Sequence, residues 1–267
     1  MGRKLKKYIR LYGVFLKNSL SAQMNYKVNF CLGILVEFFW VCSHLLYLLV
    51  VWQTGLQVEG LNGDTMMIFA GTYLCLTGVY MGLLCNNLGQ IPGYVRQGQL
   101  DLYLTKPVSS QFLVSAQHID FGYPIPDFAV GIVLIVAGWR RAAVPVTPEK
   151  IAGYLLLFLM GCVWLYALQM VPVLLSFVLV KTEGIFQAFY GLHDLNKVPM
   201  DIYGKVIQRL GTFLIPIFPR VNYPGRYLTG YLKGWQMAYG ILMPLALFGV
   251  IRALWKLALR KYTSANG

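Results

Sequence analysis

The sequence is short of charge. Only 12% of its 267 residues are Asp, Glu, Lys or Arg, about half of what a soluble globular domain carries. Acids are the scarcer sign, 10 against 23 Lys and Arg. Cysteine is sparse as well. The five (Cys31, Cys42, Cys75, Cys85, Cys162) are odd in number, form no C-x-x-C, and sit inside or at the edge of apolar runs. A secreted disulfide scaffold is therefore excluded, and the cysteines read as small buried hydrophobes. His44, His118 and His193 stand far apart without metal-ligand spacing, so no metal site is expected. No G-x-x-x-x-G-K-[ST], H-E-x-x-H, G-x-S-x-G or G-x-G-x-x-G occurs. The chain thus has no P-loop for ATP and no familiar catalytic motif. A conduit or scaffold is better supported than a catalyst, and no cofactor is expected on this chain.

What is abundant is apolar length. Hydrophobic residues make up 57% and aromatics 15%, with a mean hydropathy of +0.58. Disordered chains are poor in both kinds. The apolar residues lie in runs too long for a core surrounded by water. The expected fold is an all-α polytopic membrane protein.

A span needs roughly 20 mostly apolar residues, and six candidates appear: about Val28–Trp52, Met66–Cys85, Ile119–Trp139, Ile151–Val180, Ile202–Phe218 and Trp235–Leu257. The third carries Pro124, Pro126 and Asp127 in its first half, and the fifth is short. Seven cations and no acid precede the first span: Arg3, Lys4, Lys6, Lys7, Arg10, Lys17 and Lys27. Summed over alternate loops, with Lys181, Lys197, Lys205 and Arg209 counted between the fourth and fifth spans, seventeen Lys and Arg fall on one side and six on the other. The positive-inside rule then places both termini in the cytoplasm. The net charge of +13 is read as orientation plus attraction to anionic lipid headgroups. No basic, aromatic module stands outside the membrane runs, so nucleic acid is not an expected partner.

Leu5, Tyr8, Ile9, Tyr12, Leu16 and Leu20 recur at helical spacing with cations mostly on the other face. This predicts an amphipathic helix over residues 1–27, lying in the headgroup plane; the plainer account is a basic topogenic segment that happens to be helical. Residues 28–257 form the expected six-helix domain and 258–267 a cytoplasmic tail. Within the loop at about 89–111, Gln90–Gly93 is expected to break the helix. The following stretch, Tyr94–Thr105, mixes polar and apolar residues. It should form a short helix or turn on the cytoplasmic face with something docked against it, or else an ordinary structured loop. The stretch Pro216–Gly234 is rich in Pro, Gly and Tyr. Broken backbone at membrane depth is tolerated only where protein or water covers it, so a short re-entrant outer element competes with a plain outer loop.

Polar residues inside spans are costly, about 2.5–3.5 kcal/mol for a charge on insertion scales. Glu37 and His44 are two turns apart on one face of the first span and should face protein or a wet cavity, either as a lining of a substrate route or as a structural pair. Gln169 followed by Pro172 in the fourth span is read in the same way. Asp120 and Asp127 share a face where interfacial solvation is the simpler account. Gly78 and Gly82 form a weak G-x-x-x-G.

Two stretches resemble a known family. Gly93–Val108 (GYVRQGQLDLYLTKPV) resembles the cytoplasmic loop of type 2 ABC-transporter permeases, where a Gly-x-Leu-Asp core is followed by a basic residue and Pro. Val198–Gly230 is similar to the same branch, in which a Tyr-Pro-x-x-Ile-Tyr opening leads to a span ending Ile-Pro, then Asn-Tyr-x-Pro and Leu-x-Gly. Val198 replaces the usual aromatic before Pro199, and Gly204 stands where the family often has Pro.

The resemblance implies one transmembrane subunit of a six-span exporter in a bacterial cytoplasmic (inner) membrane. Two such permeases, identical or paralogous, would pair with two separate ABC ATPase subunits that hold ATP and Mg. It implies that Val95, Arg96, Gln97, Gly98, Gln99, Leu100, Asp101 and Leu102 form the ATPase-coupling element. The amino-terminal helix would be a connector, and Pro216, Pro219, Asn222, Tyr223 and Pro224 would belong to the outer gate. Two competing classes remain in view. A membrane-embedded enzyme would need a titratable cluster, for which His193–Asp194 near the inner interface is the one candidate. An ATP-independent secondary carrier would more often show an internal repeat.

Overall fold

A computed structural model describes residues 2–53, 63–179 and 181–262. The expected cation-free loop at 54–62, Val180 and the last five residues of the expected tail lie outside them, as do the side chains of Arg3 and Lys4. Helix is the regular secondary structure of the described residues, with no strand among them. In lipid every backbone polar group must be satisfied within the chain, which is what an α-helix does.

Helix α1 (Gly2–Asn25) is followed after Tyr26 by α2 (Lys27–Gln53). Next comes a continuous rod made of α3 (Gly63–Val79), a π-helical stretch (Tyr80–Cys85) and α4 (Asn86–Arg96). At the far end of the rod stand the short α5 (Asp101–Leu104) and α6 (Ser110–Ala116). Helices α7 (Pro124–Arg141) and α8 (Pro148–Leu175) follow. The chain then breaks into pieces: α9 (Glu183–Asp194), two 3-10 turns, α10 (Lys205–Arg209) leading into a π-helical stretch (Leu210–Leu214), and α11 (Pro219–Leu228). Helix α12 (Gly234–Lys261) closes the domain.

Among the described residues, four helices are long and apolar enough to cross a membrane: Lys27–Leu46, Thr65–Arg96, Pro148–Leu175 and Gly234–Lys261. Two expected spans resolve differently. The third starts at Pro124, not at Ile119, because proline fits the first helical turn where its missing N–H is no loss. The break before it, residues 117–123, is held by a buried Asn87, whose Oδ1 accepts the His118 N–H at 2.9 Å and whose Nδ2 donates to the His118 carbonyl. Asp120 N donates to the Gly82 carbonyl at 2.8 Å within the π-helical stretch. The expected fifth span at 202–218 is not one helix. Its helical part, Lys205 to Leu214, has ten residues, about 15 Å of rise against a hydrocarbon core of about 30 Å. The expected helix break at Gln90–Gly93 is also absent, since α4 runs through Pro92 to Arg96.

Helices in lipid gain little from the hydrophobic effect and associate by close packing instead. The tightest seam joins α3 to α7, antiparallel. A methyl group at Gly71 would overlap the Gly131 carbonyl oxygen, and one at Gly131 would stand 2.7 Å from Cys75 Sγ. A Cβ at Gly78 would stand 3.1 Å from Asp127 Cβ, and one at Gly82 2.7 Å from Pro124 Cγ. The G-x-x-x-G that looked weak in sequence is thus the lower half of a glycine seam whose upper half, Gly71 and Gly131, carries no such motif. Of the cysteines, Cys75 is buried in this seam, while Cys31 is exposed on α2 and does not fit the expectation of five buried ones.

Candidate functional site

Two ends of the molecule can be told apart. The basal end gathers α1, the α4–α5 turn, the start of α9 and the end of α12. The opposite end holds the start of α3, the α7–α8 loop and the end of α11. At the basal end the rod projects an elbow. Gly98 takes φ +70°, a conformation that only glycine adopts freely, and it turns the chain from Arg96 into α5. Leu100 N donates back to the Tyr94 carbonyl at 3.2 Å. The elbow has a fixed inner side and an open outer side: Gly98 and Leu100 are buried, Asp101 is half-buried, and Leu102 is 66% exposed. Arg96 and Gln97 are exposed, Val95 is half-buried and Gln99 is exposed.

Two other elements clasp this elbow. Arg96 Nη1 reaches Glu183 Oε1 at 3.1 Å on the first turn of α9. A backbone N–H at Glu183 first, and the Arg96 guanidinium second, hold that carboxyl below the usual carboxylate range. Helix α1 grips the chain just beyond: Lys7 Nζ donates to the Pro107 carbonyl at 2.8 Å, and Tyr8 Oη accepts from Ser109 N at 3.1 Å. Further along, Ser19 Oγ accepts from Ile119 N, and Gln23 Nε2 donates to the Ile119 carbonyl at 2.6 Å. Tyr8, Tyr12 and Leu16 therefore turn toward the protein, while Leu5, Ile9 and Leu20 stay exposed.

The second assembly is interior. Helix α11 lies along α8, with Arg220 beside Gly161 and the Leu228 carbonyl accepting from Lys150 Nζ at 3.4 Å. Its buried end thus sits about half-way along α8. Arg220, 3% exposed, contacts His193 Nδ1 through Nη2 at 3.0 Å. The Asn196 amide, oriented to satisfy both of its atoms, donates to the Ile217 carbonyl and accepts from Arg220 Nη2, each at 3.2 Å. Arg220 has no carboxylate within ion-pair distance among the described residues, and its Nε has no partner. His193 Nε2 meets Thr77 Oγ1 at 3.3 Å, midway along the rod. The enzyme reading placed His193 at the inner interface; the structure buries it beside Thr77, Tyr73 and Tyr80 instead.

His44 belongs to the same assembly. Its ring lies 4.9 Å from that of Tyr73 and 5.8 Å from that of Trp40, and neither of its nitrogens has a partner. Lys197 Nζ stands 5.4 Å over the Trp40 ring and 2.8 Å from Asp194 Oδ2. Lys197 is thus half-buried against α2 rather than on a free loop. Glu37, Val41 and His44 form one buried stripe of α2, as the sequence suggested for Glu37 and His44. Asp127 is not solvated at an interface: it is 0% exposed with neither oxygen paired. Asp120 instead caps the turn, its Oδ1 accepting from Gly122 N at 2.8 Å. Gln169 is buried on α8.

The gate candidates lie in and around α11. Pro216, Pro219, Asn222, Tyr223 and Pro224 are all buried. Asn222 Oδ1 accepts from Met200 N at 3.1 Å, its Nδ2 donates to the Phe218 carbonyl at 2.9 Å, and the Tyr223 hydroxyl has no partner. One ion pair, Arg226 with Asp201, ties α11 to the 3-10 turn that precedes it. Sequence reasoning missed Arg220, Thr77, Tyr73 and Asn196. Arg220 had the one usable signal, a cation in the middle of an apolar, proline-flanked stretch.

No curated protein and no solved structure matches the chain. The family model of the ABC-2 family transporter proteins matches residues 38–266, which take in the elbow and the interior cluster, and the chain belongs to that family.

Proposed function

We propose that this ABC-2 membrane subunit is an ATP-driven export permease whose motor is a separate pair of ABC ATPase subunits. The observation that carries the reading is the elbow: an exposed apolar knuckle, Leu102, on a glycine turn at the end of a 32-residue helix. At 1.5 Å per residue that helix is about 48 Å long, so it outlasts the hydrocarbon core by several turns. A surface placed there and clasped from two sides passes a push into the rod without being absorbed by a loose loop.

In this reading the pieces from α9 to α11 together make the fifth crossing, and α6 with α7 make the third. The chain then crosses six times with both termini in the cytoplasm of a bacterial inner membrane. Helix α11, entering from the outer side to mid-depth, is the re-entrant gate. The exposed strip Leu5–Ile9–Leu20 of α1 rests in the headgroup plane. A second permease, identical or paralogous, completes the pathway, which the Glu37–His44 stripe and Arg220 border. ATP-driven closure of the partner pair shifts the balance between two arrangements of the rod and the broken fifth crossing.

The test is to replace Asp101 and Leu102 together in the assembled complex. Expression and assembly should persist while ATP hydrolysis and transport become uncoupled. An unchanged ratio of transport to hydrolysis refutes the role of the elbow.

A further inference from the structure

Helix α1 is fastened to the protein at two points, through Lys7 and Tyr8 at residues 107–109 and through Ser19 and Gln23 at residues 119–121. Between those points Phe15 touches the protein at Phe112, with ring centroids 6.3 Å apart. A cavity of about 470 Å³ opens beneath α1, roofed by Tyr12 and walled by Leu83, Phe112 and Phe248. That volume is within the range of about 300–1,000 Å³ in which proteins hold small ligands.

The lining is amphiphilic. Most of it is apolar, but one side carries Tyr166, whose hydroxyl is shared by Gln111 Nε2 at 3.0 Å and Ser115 Oγ at 3.1 Å. Arg252 of α12 also lines the cavity, exposed, with no ion pair or hydrogen bond among the described residues. Above it, α1 adds Lys6, Lys7, Arg10 and Lys17 and not one acid.

We propose that this cavity is a phospholipid site: it takes an acyl chain of an anionic phospholipid and holds the headgroup phosphate on Arg252. The apolar walls suit a chain, the lone cation suits a phosphate monoanion, and the basic face of α1 concentrates anionic lipid at that surface. A bound lipid then fills the cavity beneath Tyr8 and Tyr12 and fixes the posture of α1 against the segment that leads from the elbow. The proposal does not depend on the direction of transport or on the ATPase.

The test is lipid retention by the full-length chain. The protein is reconstituted in dioleoyl phosphatidylglycerol or dioleoyl phosphatidylcholine nanodiscs, released into mild detergent, and examined for bound lipid by native mass spectrometry. Wild type should keep one phosphatidylglycerol and little phosphatidylcholine. Arg252→Gln should lower that retention about fivefold, the weight of one arginine at an anionic surface, and Arg252→Lys should restore most of it. Ala116→Phe, which fills the cavity and leaves the cation in place, should exclude the lipid; should it fail to fold, the two Arg252 variants decide alone. Equal retention of the two lipids, or equal retention by wild type and Arg252→Gln, overturns the proposal. Release of the lipid by millimolar inorganic phosphate alone also overturns it, by showing a bare anion site.

Discussion

Replacing Gly71 by Ala tests the seam that holds the rod to α7. The added Cβ would overlap the carbonyl oxygen of Gly131 and stand 2.7 Å from Ile135 Cγ1 and 2.9 Å from Ile135 N. Two of the three obstacles are backbone atoms of α7, which cannot rotate away as a side-chain end does. The helices must part by about 1 Å, and a gap of 0.5–1 Å forfeits a quarter to a half of each dispersion contact along the seam. Overpacking of this kind costs about 1–3 kcal/mol, and the backbone obstacle argues for the upper end. Against that, Ala is intrinsically a better helix former than Gly by about 0.8–1.0 kcal/mol. The net is a loss of about 2 kcal/mol. At about 2–4 °C per kcal/mol for a chain of this size class, the Tm should fall by about 4–8 °C. The assay is thermal unfolding of the purified chain in one detergent, read by the intrinsic fluorescence of its six tryptophans. Gly89 is the internal control. It lies in α4, where nothing stands within 4 Å of an added methyl, so Gly89→Ala should hold or raise the Tm. Gly78→Ala, facing Asp127 Cβ at 3.1 Å, should fall between. Equal shifts for Gly71→Ala and Gly89→Ala would refute the close-packed seam.

Four further outcomes are expected. Asn87→Leu removes both side-chain bonds to His118 and leaves two backbone groups of a half-buried break unmatched, so stability should drop by about 1–3 kcal/mol in all, seen as a lower Tm and faster hydrogen exchange over residues 117–123. Arg220→Ala leaves His193 Nδ1 and the Asn196 amide oxygen without their buried partner and should destabilise by about 1–3 kcal/mol for each group left dry; a Tm within a degree of wild type would contradict the network. The Arg96–Glu183 clasp depends on a carboxyl held below its ordinary range, so it is present at neutral pH and is lost as pH falls through that depressed value. Exchange at the first turn of α9 should therefore quicken only in acid, and salt should weaken the clasp. Lys7→Ala together with Tyr8→Phe should free the near anchor of α1, raising protease cleavage at its amino-terminal half while leaving the far anchor at Ser19 and Gln23 intact.

The helical membrane class, four of the long helices, the basal elbow and the broken stretch near Pro216 are legible from the chain alone. Each is a local property: runs of apolar residues have no other stable form in lipid, and the mixed-polarity stretch Tyr94–Thr105 is too polar to continue a span, although the break expected at Gln90–Gly93 lies at Gly98 instead. Glu37 and His44 could be placed together for the same reason, since seven residues bring a helix back to one face. Only the tertiary structure decided the rest. It divided residues 183–228 into pieces, because the polar groups of His193, Asn196 and Arg220 find partners in a broken segment that a straight helix would hold apart. It buried Asp127 in a glycine seam and joined Arg220 to Thr77, some 140 residues away in sequence. Spacing along a helix carries information about one face of that helix, and nothing in it states which distant face will arrive opposite.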